Sequence, residues 1–253
     1  MNFPDALNKA VVRHKYPLVF ATISGAHLYG FPSPDSDYDL RGVHVFPVEE
    51  LVGLDAPDDT IEITNFDDGI ELDLVTHDLK KFILLMLRPN GYVLEQLLSP
   101  LVVHTTPEHE ELKVLSGDCI TRHHANHYLG FAHSQWKLFS KEEKPRVKPL
   151  LYVFRVVLTG IHLMKTGKIE ANLNTLNEEF ALPYLPDLIA RKQSSKEQAT
   201  LDSTDLQFYE SEFQRLLALL ETAALESKLP ESATAKPALN DLLKRVRLNH
   251  VSS

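Results

Sequence analysis

The stretch TISGAHLYGFPSPDSDYDLRG, residues 22–42, joins an apolar run to three closely spaced aspartates. The run LVFATIS (18–24) is apolar almost throughout, which is typical of a buried strand. Asp37 and Asp39 are two residues apart, so on an extended chain their carboxylates point to the same face. Like charges at that range repel strongly, and the pair is stable only if it is protonated, paired with a base or bridged by a cation. The stretch therefore predicts a carboxylate site at the edge of a buried strand.

A third carboxylate is expected on a neighbouring strand. TIEITNF (60–66) and IELDLVT (70–76) both have the composition of strands, with an acidic turn between them. Asp73 has an apolar residue on each side, as an acid set into a buried strand would, and we favour it over Glu71. Mg²⁺ is held by a few carboxylates together with substrate phosphates, and two ions about 4 Å apart can clamp both oxygens of a phosphoryl transfer. The candidate metal ligands are therefore Asp37, Asp39 and Asp73.

The turn after the first strand predicts a phosphate-binding element. Gly25 follows LVFATIS directly, and a helix start is expected there. Backbone N–H groups at such a turn can receive phosphate oxygens, and glycine allows them to approach closely. A carboxylate pair beside such a turn indicates a nucleoside triphosphate (NTP) as substrate, with Mg²⁺ or Mn²⁺ as cofactor.

The composition limits the class of protein. With 253 residues, 43% of them hydrophobic and 24% charged, the chain is expected to be a soluble globular protein. Its single cysteine, Cys119, fits the reducing cytoplasm, and there is no run of about 18 apolar residues that would predict a membrane span. The net charge of −9 argues against a surface wrapped in nucleic acid, but it allows a local basic groove.

The spacing of apolar residues along the sequence differs between the two halves of the chain. YDLRGVHVF (38–46) and the edge candidate LVVH (101–104) complete the strands of the first half, and residues 77–88 predict a helix. From about residue 107 the pattern is almost wholly helical, and we predict two domains, 1–105 and 106–253. The polar stretch 192–205 is predicted to be a mobile loop. The helix candidates of the second half are 107–119, 121–141, 147–166, 203–226 and 237–248.

The stretch SGAHLYG…DSDYDLRGV resembles the signature of the DNA polymerase β-like nucleotidyltransferase superfamily. In that signature an apolar strand, a Gly-Ser or Gly-Gly pair and a spacer of about ten residues precede Asp-x-Asp; here Gly25-Ala26 precedes Asp37-Tyr38-Asp39. The longer sequence around this signature is similar to the YcgL/RlaP group of predicted nucleotidyltransferases, and the similarity covers most of residues 20–160. The resemblance implies an α+β fold: a small mixed, palm-like sheet backed by helices, then a helical domain that completes the nucleotide cleft.

The resemblance also implies roles for individual residues. Asp37 and Asp39 would bind both metal ions, and Asp73 would bind the catalytic metal and help to activate an acceptor hydroxyl. Gly25 would lie against the triphosphate. Lys148 and Arg155 are seven residues apart, and hence on one face of a helix. They would either neutralise the triphosphate, which the similar family segment favours, or act as structural salt-bridge partners.

Ala26 departs from the family pattern, which usually has serine at this position. Alanine cannot donate a hydrogen bond to a triphosphate oxygen, and a bond of that kind to a charged group is worth about 1.5–3 kcal/mol. Ala26 is nevertheless assigned to the nucleotide-binding turn, because the backbone donors remain. Ala26 would therefore weaken triphosphate binding or mark a different donor.

The sequence is compatible with three functions. The first is an Mg²⁺-dependent nucleotidyltransferase in the cytoplasm, with an RNA end, a protein hydroxyl or a small molecule as acceptor; the resemblance associates it with RNA repair. The second is a nucleotide-binding sensor or partner subunit with weakened catalysis, suggested by Ala26. The third is a metal-dependent phosphohydrolase that uses His123 and His127, which we interpret instead as solvated or core residues. The sequence leaves the oligomeric state open.

Two further side chains are interpreted from their surroundings. Arg41 either pairs with a nearby carboxylate or touches the substrate, and the sequence does not distinguish the two. Tyr29 is interpreted as a packing residue.

Overall fold

The computed structural model describes residues 3–55, 57–67, 69–194, 200–201 and 205–249. By its internal contacts the chain forms two compact units. The first unit comprises Met1–Gly25, Asp37–Cys119 and Ser232–Ser253, and the second comprises Ala26–Ser36 and Ile120–Glu231. This division rests on contacts alone, and the functional domains 1–105 and 106–253 stay a prediction.

The described residues form one mixed sheet, in the first unit. Its strands are β1 (Leu18–Ile23), β2 (Tyr38–His44), β3 (Thr60–Asp67), β4 (Ile70–Asp78) and β5 (Val102–Thr105), in the order β3-β4-β2-β1-β5. The pair β2–β4 is parallel, and the other neighbouring pairs are antiparallel. The predicted α+β class, with a mixed sheet followed mostly by helices, is confirmed, and β5 lies at the predicted edge.

In the second half of the chain, helices lie over all five predicted segments, and the two helices at 173–180 and 185–194 were not predicted. In chain order, the helices in the described residues are α1 (Asp5–Val12), α2 (Gly25–Tyr29), α3 (Val48–Leu51), α4 (Leu79–Met86), α5 (Gly91–Leu97), α6 (Pro107–Ser116), α7 (His124–Phe139), α8 (Val147–Thr166), α9 (Leu173–Phe180), α10 (Leu185–Ser194), α11 (Leu206–Glu226) and α12 (Lys236–Asn249).

Capping residues explain where several helices begin and end. The side chains of Asp78, Asn90 and Thr106 accept backbone N–H groups at the starts of α4, α5 and α6. α8 ends at Gly167, whose φ of 72° is left-handed and suits glycine. Side-chain caps therefore set the three helix starts, and the left-handed backbone of Gly167 sets the end of α8.

Apolar side chains cover both faces of the sheet in the first unit. On one face, Phe20 and Val43 pack with residues of α4, α5, α6 and α12. On the other face, Leu40, Leu72 and Leu74 pack with Leu7 of α1. Burial on both faces is what fixes the register of the strands, because a slip of one residue would turn every side chain to the wrong face.

In the second unit, α8 is the central helix. It packs against α7, α9, α10 and α11, and most of its side chains are buried. Within the described residues it is also the one helix long and apolar enough to cross a membrane, but most of it is buried inside the protein, as a core helix is. A cytoplasmic location stays a prediction.

The polar stretch 192–205 is only partly described. Residues 195–199 and 202–204 of this predicted loop lie outside the described residues. Its first three residues belong to α10, and Lys192 is fully buried. The prediction of a loop is therefore wrong for Lys192–Ser194, because a polar composition does not exclude a buried, partnered lysine.

Candidate active site

The parallel pairing of β2 with β4 brings two predicted carboxylates together. Asp39 on β2 lies directly opposite Asp73 on β4. The neighbours Leu40, Leu72 and Leu74 point into the apolar core, so alternation turns both acids to the other face of the sheet. Both side chains remain partly accessible, at 23% for Asp39 and 35% for Asp73.

The glycine turn lies against the first of these carboxylates. Gly25 has a φ of 61°, in the left-handed region, and a Cβ placed there would come within 1.8 Å of Asp39 Oδ2. The backbone N–H of Ser24 donates to the Asp39 carbonyl at 2.8 Å, which ties the turn to β2. Gly25 and Asp39 therefore occupy one location, and only glycine fits there.

Arg41 lies between the two carboxylates. Its Nη2 donates to Asp39 Oδ1 at 2.7 Å and to Asp73 Oδ2 at 3.2 Å. Burial lowers the pKa of its guanidinium, but Tyr92, Asp39 and Asp73 outweigh that effect, so the pKa is raised and Arg41 stays charged. Of the two alternatives left open by the sequence, pairing with carboxylates is the one observed.

Two of the three predicted metal ligands lie together and have the oxygen donors that a divalent cation prefers. Asp39 and Asp73 supply carboxylate oxygens, the hard ligands that Mg²⁺ prefers. Both already form an ion pair with the Arg41 guanidinium. Asp37 precedes β2 and is half-buried, and its side chain makes no hydrogen bond or ion pair with the described residues. Among those residues, no three His, Cys, Asp or Glu side chains are grouped closely enough to hold a metal ion as they stand. The three-carboxylate ligand set stays a prediction.

The segment between Gly25 and Asp37 belongs to the second unit, where polar contacts hold it. The guanidinium carbon of Arg155 lies 4.0 Å from the centre of the Tyr29 ring. Asn174 Nδ2 donates to the Gly30 carbonyl at 2.7 Å, and Lys192 Nζ donates to Ser33 Oγ at 2.6 Å. The two halves of the signature are thus joined by a segment that is packed inside the helical unit.

The remaining nucleotide-binding candidates also lie in the second unit. Ala26 and Arg155 are buried. Lys148 is half-buried and lines a cavity of about 540 Å³ with Gln135, Arg146 and Tyr152. Tyr29 is buried against Tyr152 and Arg155, in agreement with its interpretation as a packing residue. The roles of Ala26, Lys148 and Arg155 at a nucleotide stay predictions.

The histidine cluster does not resemble a metal site. His123 Nε2 lies 3.1 Å from Glu231 at the surface. His124 is fully buried, and burial lowers its pKa to about 4, so it is neutral at pH 7. Within the described residues these side chains gather no third ligand. The described residues therefore do not support a phosphohydrolase that uses this cluster.

Two contacts could not be predicted from the sequence: the bridging of both carboxylates by Arg41, and the pairing of Lys192 with Ser33 in the second unit. The bridging position of Arg41 depends on the pairing of β2 with β4, which the sequence does not state. Lys192 stands in a polar stretch, and nothing nearby marks it as a buried partner of Ser33. Only the three-dimensional structure, in which Lys192 Nζ lies 2.6 Å from Ser33 Oγ, shows this contact.

We expect Ser33→Ala to destabilise the second unit by about 1.5–3 kcal/mol, because a buried ammonium loses one hydrogen-bond acceptor. Urea unfolding followed by the fluorescence of Trp136, the only tryptophan, would measure this loss. Ser194→Ala is the matched control: its hydroxyl is exposed and we expect a change within about 0.5 kcal/mol. Equal stability of the two variants would contradict the prediction.

Asp39 and Asp73 thus face each other on a mixed sheet, and Asp39 lies against the Gly25 turn. The chain belongs to the RNA repair pathway DNA polymerase β family (RlaP), whose family model matches residues 2–245. It is 30% identical over 241 residues to the uncharacterized protein MJ0002 of Methanocaldococcus jannaschii, covering 92% of this chain and 96% of that protein. It is 29% identical over 249 residues to the uncharacterized protein YcgL of Bacillus subtilis, covering 93% and 94%. These similarities support a general nucleotidyltransferase role.

Proposed function

We propose that this protein is an Mg²⁺-dependent nucleotidyltransferase that moves a nucleoside monophosphate from an NTP to an acceptor hydroxyl and releases pyrophosphate. One observation carries the proposal: the Asp39 carboxylate lies against the Gly25 turn and opposite Asp73. A turn that can receive phosphate oxygens and carboxylates that can hold a cation are the two parts that such a transfer requires.

The residues have separate tasks in this proposal. Asp37, Asp39 and Asp73 would hold the cation, which when bound would stabilise the charge on the transferred phosphoryl group. Gly25 and Ala26 would orient the triphosphate through backbone N–H groups, and Lys148 and Arg155 would balance its charge.

The proposed step forms one bond and breaks one. The acceptor oxygen bonds to the α-phosphorus while the Asp73 carboxylate takes up the hydroxyl proton. The bond from the α-phosphorus to its bridging oxygen breaks, and pyrophosphate leaves with the electron pair. No oxidant or further reactant is needed.

We propose an RNA end as the first acceptor to test, because the family is described as belonging to an RNA repair pathway. The net charge of −9 disfavours a large RNA footprint, since affinity for a phosphate backbone depends on cationic side chains. Protein hydroxyls and small molecules are therefore kept as the other acceptors.

A second candidate is a nucleotide-binding sensor or partner subunit that lacks transfer activity. It is favoured by Ala26, which removes a hydroxyl donor from the turn, and by Arg41, which engages both carboxylates. The presence of Asp73 speaks against it, because a pure binder does not need an acid that activates an acceptor.

The experiment incubates the protein with each α-labelled NTP, Mg²⁺ or Mn²⁺ and a mixture of short RNAs, and follows label on RNA or protein. We expect label that is lost in Asp37→Asn/Asp39→Asn and in Asp73→Asn. Glu71→Gln is the matched control, since it removes an exposed carboxylate two residues from Asp73 on the same strand. We expect it to transfer as the parent protein does.

The outcomes separate the two candidates. Label that depends on the aspartates supports the transferase, and its location identifies the acceptor class. Nucleotide binding without label, also in Ala26→Ser, would overturn the transferase in favour of the sensor. Label in Ala26→Ser alone would mean that the alanine keeps this chain inactive.

A further inference from the structure

Arg41 is held in place by more than its two carboxylate partners. Its Nη1 donates to the backbone carbonyl of Asp73 at 2.8 Å and to its own neighbour, the Leu40 carbonyl, at 3.0 Å. Its Nε donates to the Tyr92 hydroxyl at 3.3 Å. The guanidinium therefore has acceptors on β2, β4 and α5, and its side chain is only 12% exposed.

The position of Arg41 reduces the electrostatic repulsion between the two carboxylates. Asp39 and Asp73 face each other across neighbouring strands, and two like charges there would repel. Arg41 places one positive charge between them, and a planar guanidinium can bind two carboxylates and two carbonyls at once. Lysine, a single ammonium on a flexible stem, does not offer that geometry.

We infer that Arg41 is a positioning residue that binds the same two carboxylates, Asp39 and Asp73, as the divalent cation. Its charge thereby sets the affinity of the site for that cation. Arg41 holds the two carboxylates side by side, and its charge competes with a cation that approaches the same oxygens. The inference rests on the proposed function, because it concerns the cation site assigned there. It adds a residue that the predicted ligand set did not contain.

The inference has a signature that a merely structural role lacks. If Arg41 only supported the fold, removing it would displace the carboxylates and weaken cation binding. If its charge competes with the cation, removing the charge strengthens binding. The sign of the change in cation affinity therefore distinguishes the two roles, without any measurement of transfer.

The test measures Mn²⁺ binding to the full chain without nucleotide, by electron paramagnetic resonance of free Mn²⁺. We expect Arg41→Gln to bind Mn²⁺ about ten-fold more tightly than the parent protein. Arg88→Gln is the matched control, because it removes one exposed positive charge from the same unit; we expect its affinity to stay within about two-fold. Asp39→Asn in the Arg41→Gln background should remove the gain.

Arg41→Met keeps the inference testable if Arg41→Gln does not fold. It removes the same positive charge and keeps an unbranched stem, so we again expect Mn²⁺ to bind about ten-fold more tightly. Circular dichroism melting would verify that each variant is folded.

The failure of this inference differs from the failure of the proposed function. Unchanged or weaker Mn²⁺ binding in the folded Arg41 variants, with the parent protein binding through Asp39, would overturn the inference alone. No Mn²⁺ binding by the parent protein or by any Arg41 variant would overturn the inference together with the proposed cation site.

Discussion

Gly25→Ala is expected to reduce nucleotidyl transfer by about a thousand-fold or more. The new Cβ would lie 1.8 Å from Asp39 Oδ2, so the carboxylate or the turn must shift. A correctly held cation contributes several kcal/mol to phosphoryl transfer, and each 1.36 kcal/mol is a factor of ten in rate. Because φ is 61° at this position, we also expect a loss of about 1–3 kcal/mol in stability.

Gly69→Ala separates these two effects. Gly69 also has a positive φ, of 78°, but no atom lies within 4 Å of the position of its Cβ. Gly69→Ala should therefore lose a comparable amount of stability, while its rate of nucleotidyl transfer should stay within about two-fold of the parent protein. Transfer assays and thermal melts on both variants check the prediction. Equal transfer by the two alanine variants would show that the contact with Asp39 does not matter.

Arg247→Met is expected to destabilise the first unit by about 3–5 kcal/mol. Arg247 of α12 donates to both oxygens of Asp78, at 2.6 and 2.5 Å, and to the Phe46 carbonyl at 2.7 Å. Both side chains are nearly inaccessible, so methionine would leave a buried carboxylate without its charged partner. Urea unfolding followed by far-ultraviolet circular dichroism measures the loss, since Trp136 reports on the other unit.

Arg245→Met is the matched control for this variant. Arg245 lies two residues away on the same helix and pairs with Glu111, but that pair is largely exposed. We expect a change within about 0.5 kcal/mol, because exposed ion pairs contribute little. Adding Asp78→Asn to Arg247→Met should recover part of the loss. A loss in Arg247→Met no larger than that in Arg245→Met would rule out a structural role for the buried pair.

The strands could be predicted because their signal is local. LVFATIS and IELDLVT carry the apolar composition that buried strands require, and the observed β1 and β4 lie over them. The alternation in β4 also predicted that Asp73 turns away from Leu72 and Leu74, as observed. Periodicity reports which face a side chain takes, and it needs no knowledge of the neighbouring strand.

The contacts of the candidate site could not be predicted in the same way. Asp39 faces Asp73 only because β2 and β4 pair in parallel in one register, and that register is set by apolar packing on both faces of the sheet. The bridging of both acids by Arg41 follows from the same register. The sequence named Arg41 as a candidate partner but could not select between the carboxylates and a substrate.

The α+β class, the family, the glycine turn and the aspartates proposed to hold a cation all followed from local patterns in the sequence. The tertiary structure alone decided that Arg41 joins Asp39 to Asp73, that Lys192 meets Ser33, and that Arg247 meets Asp78. The last two pairs are separated by 159 and 169 residues along the chain. Such contacts arise from the packing of distant elements, for which neither local propensity nor the spacing of a motif carries a signal.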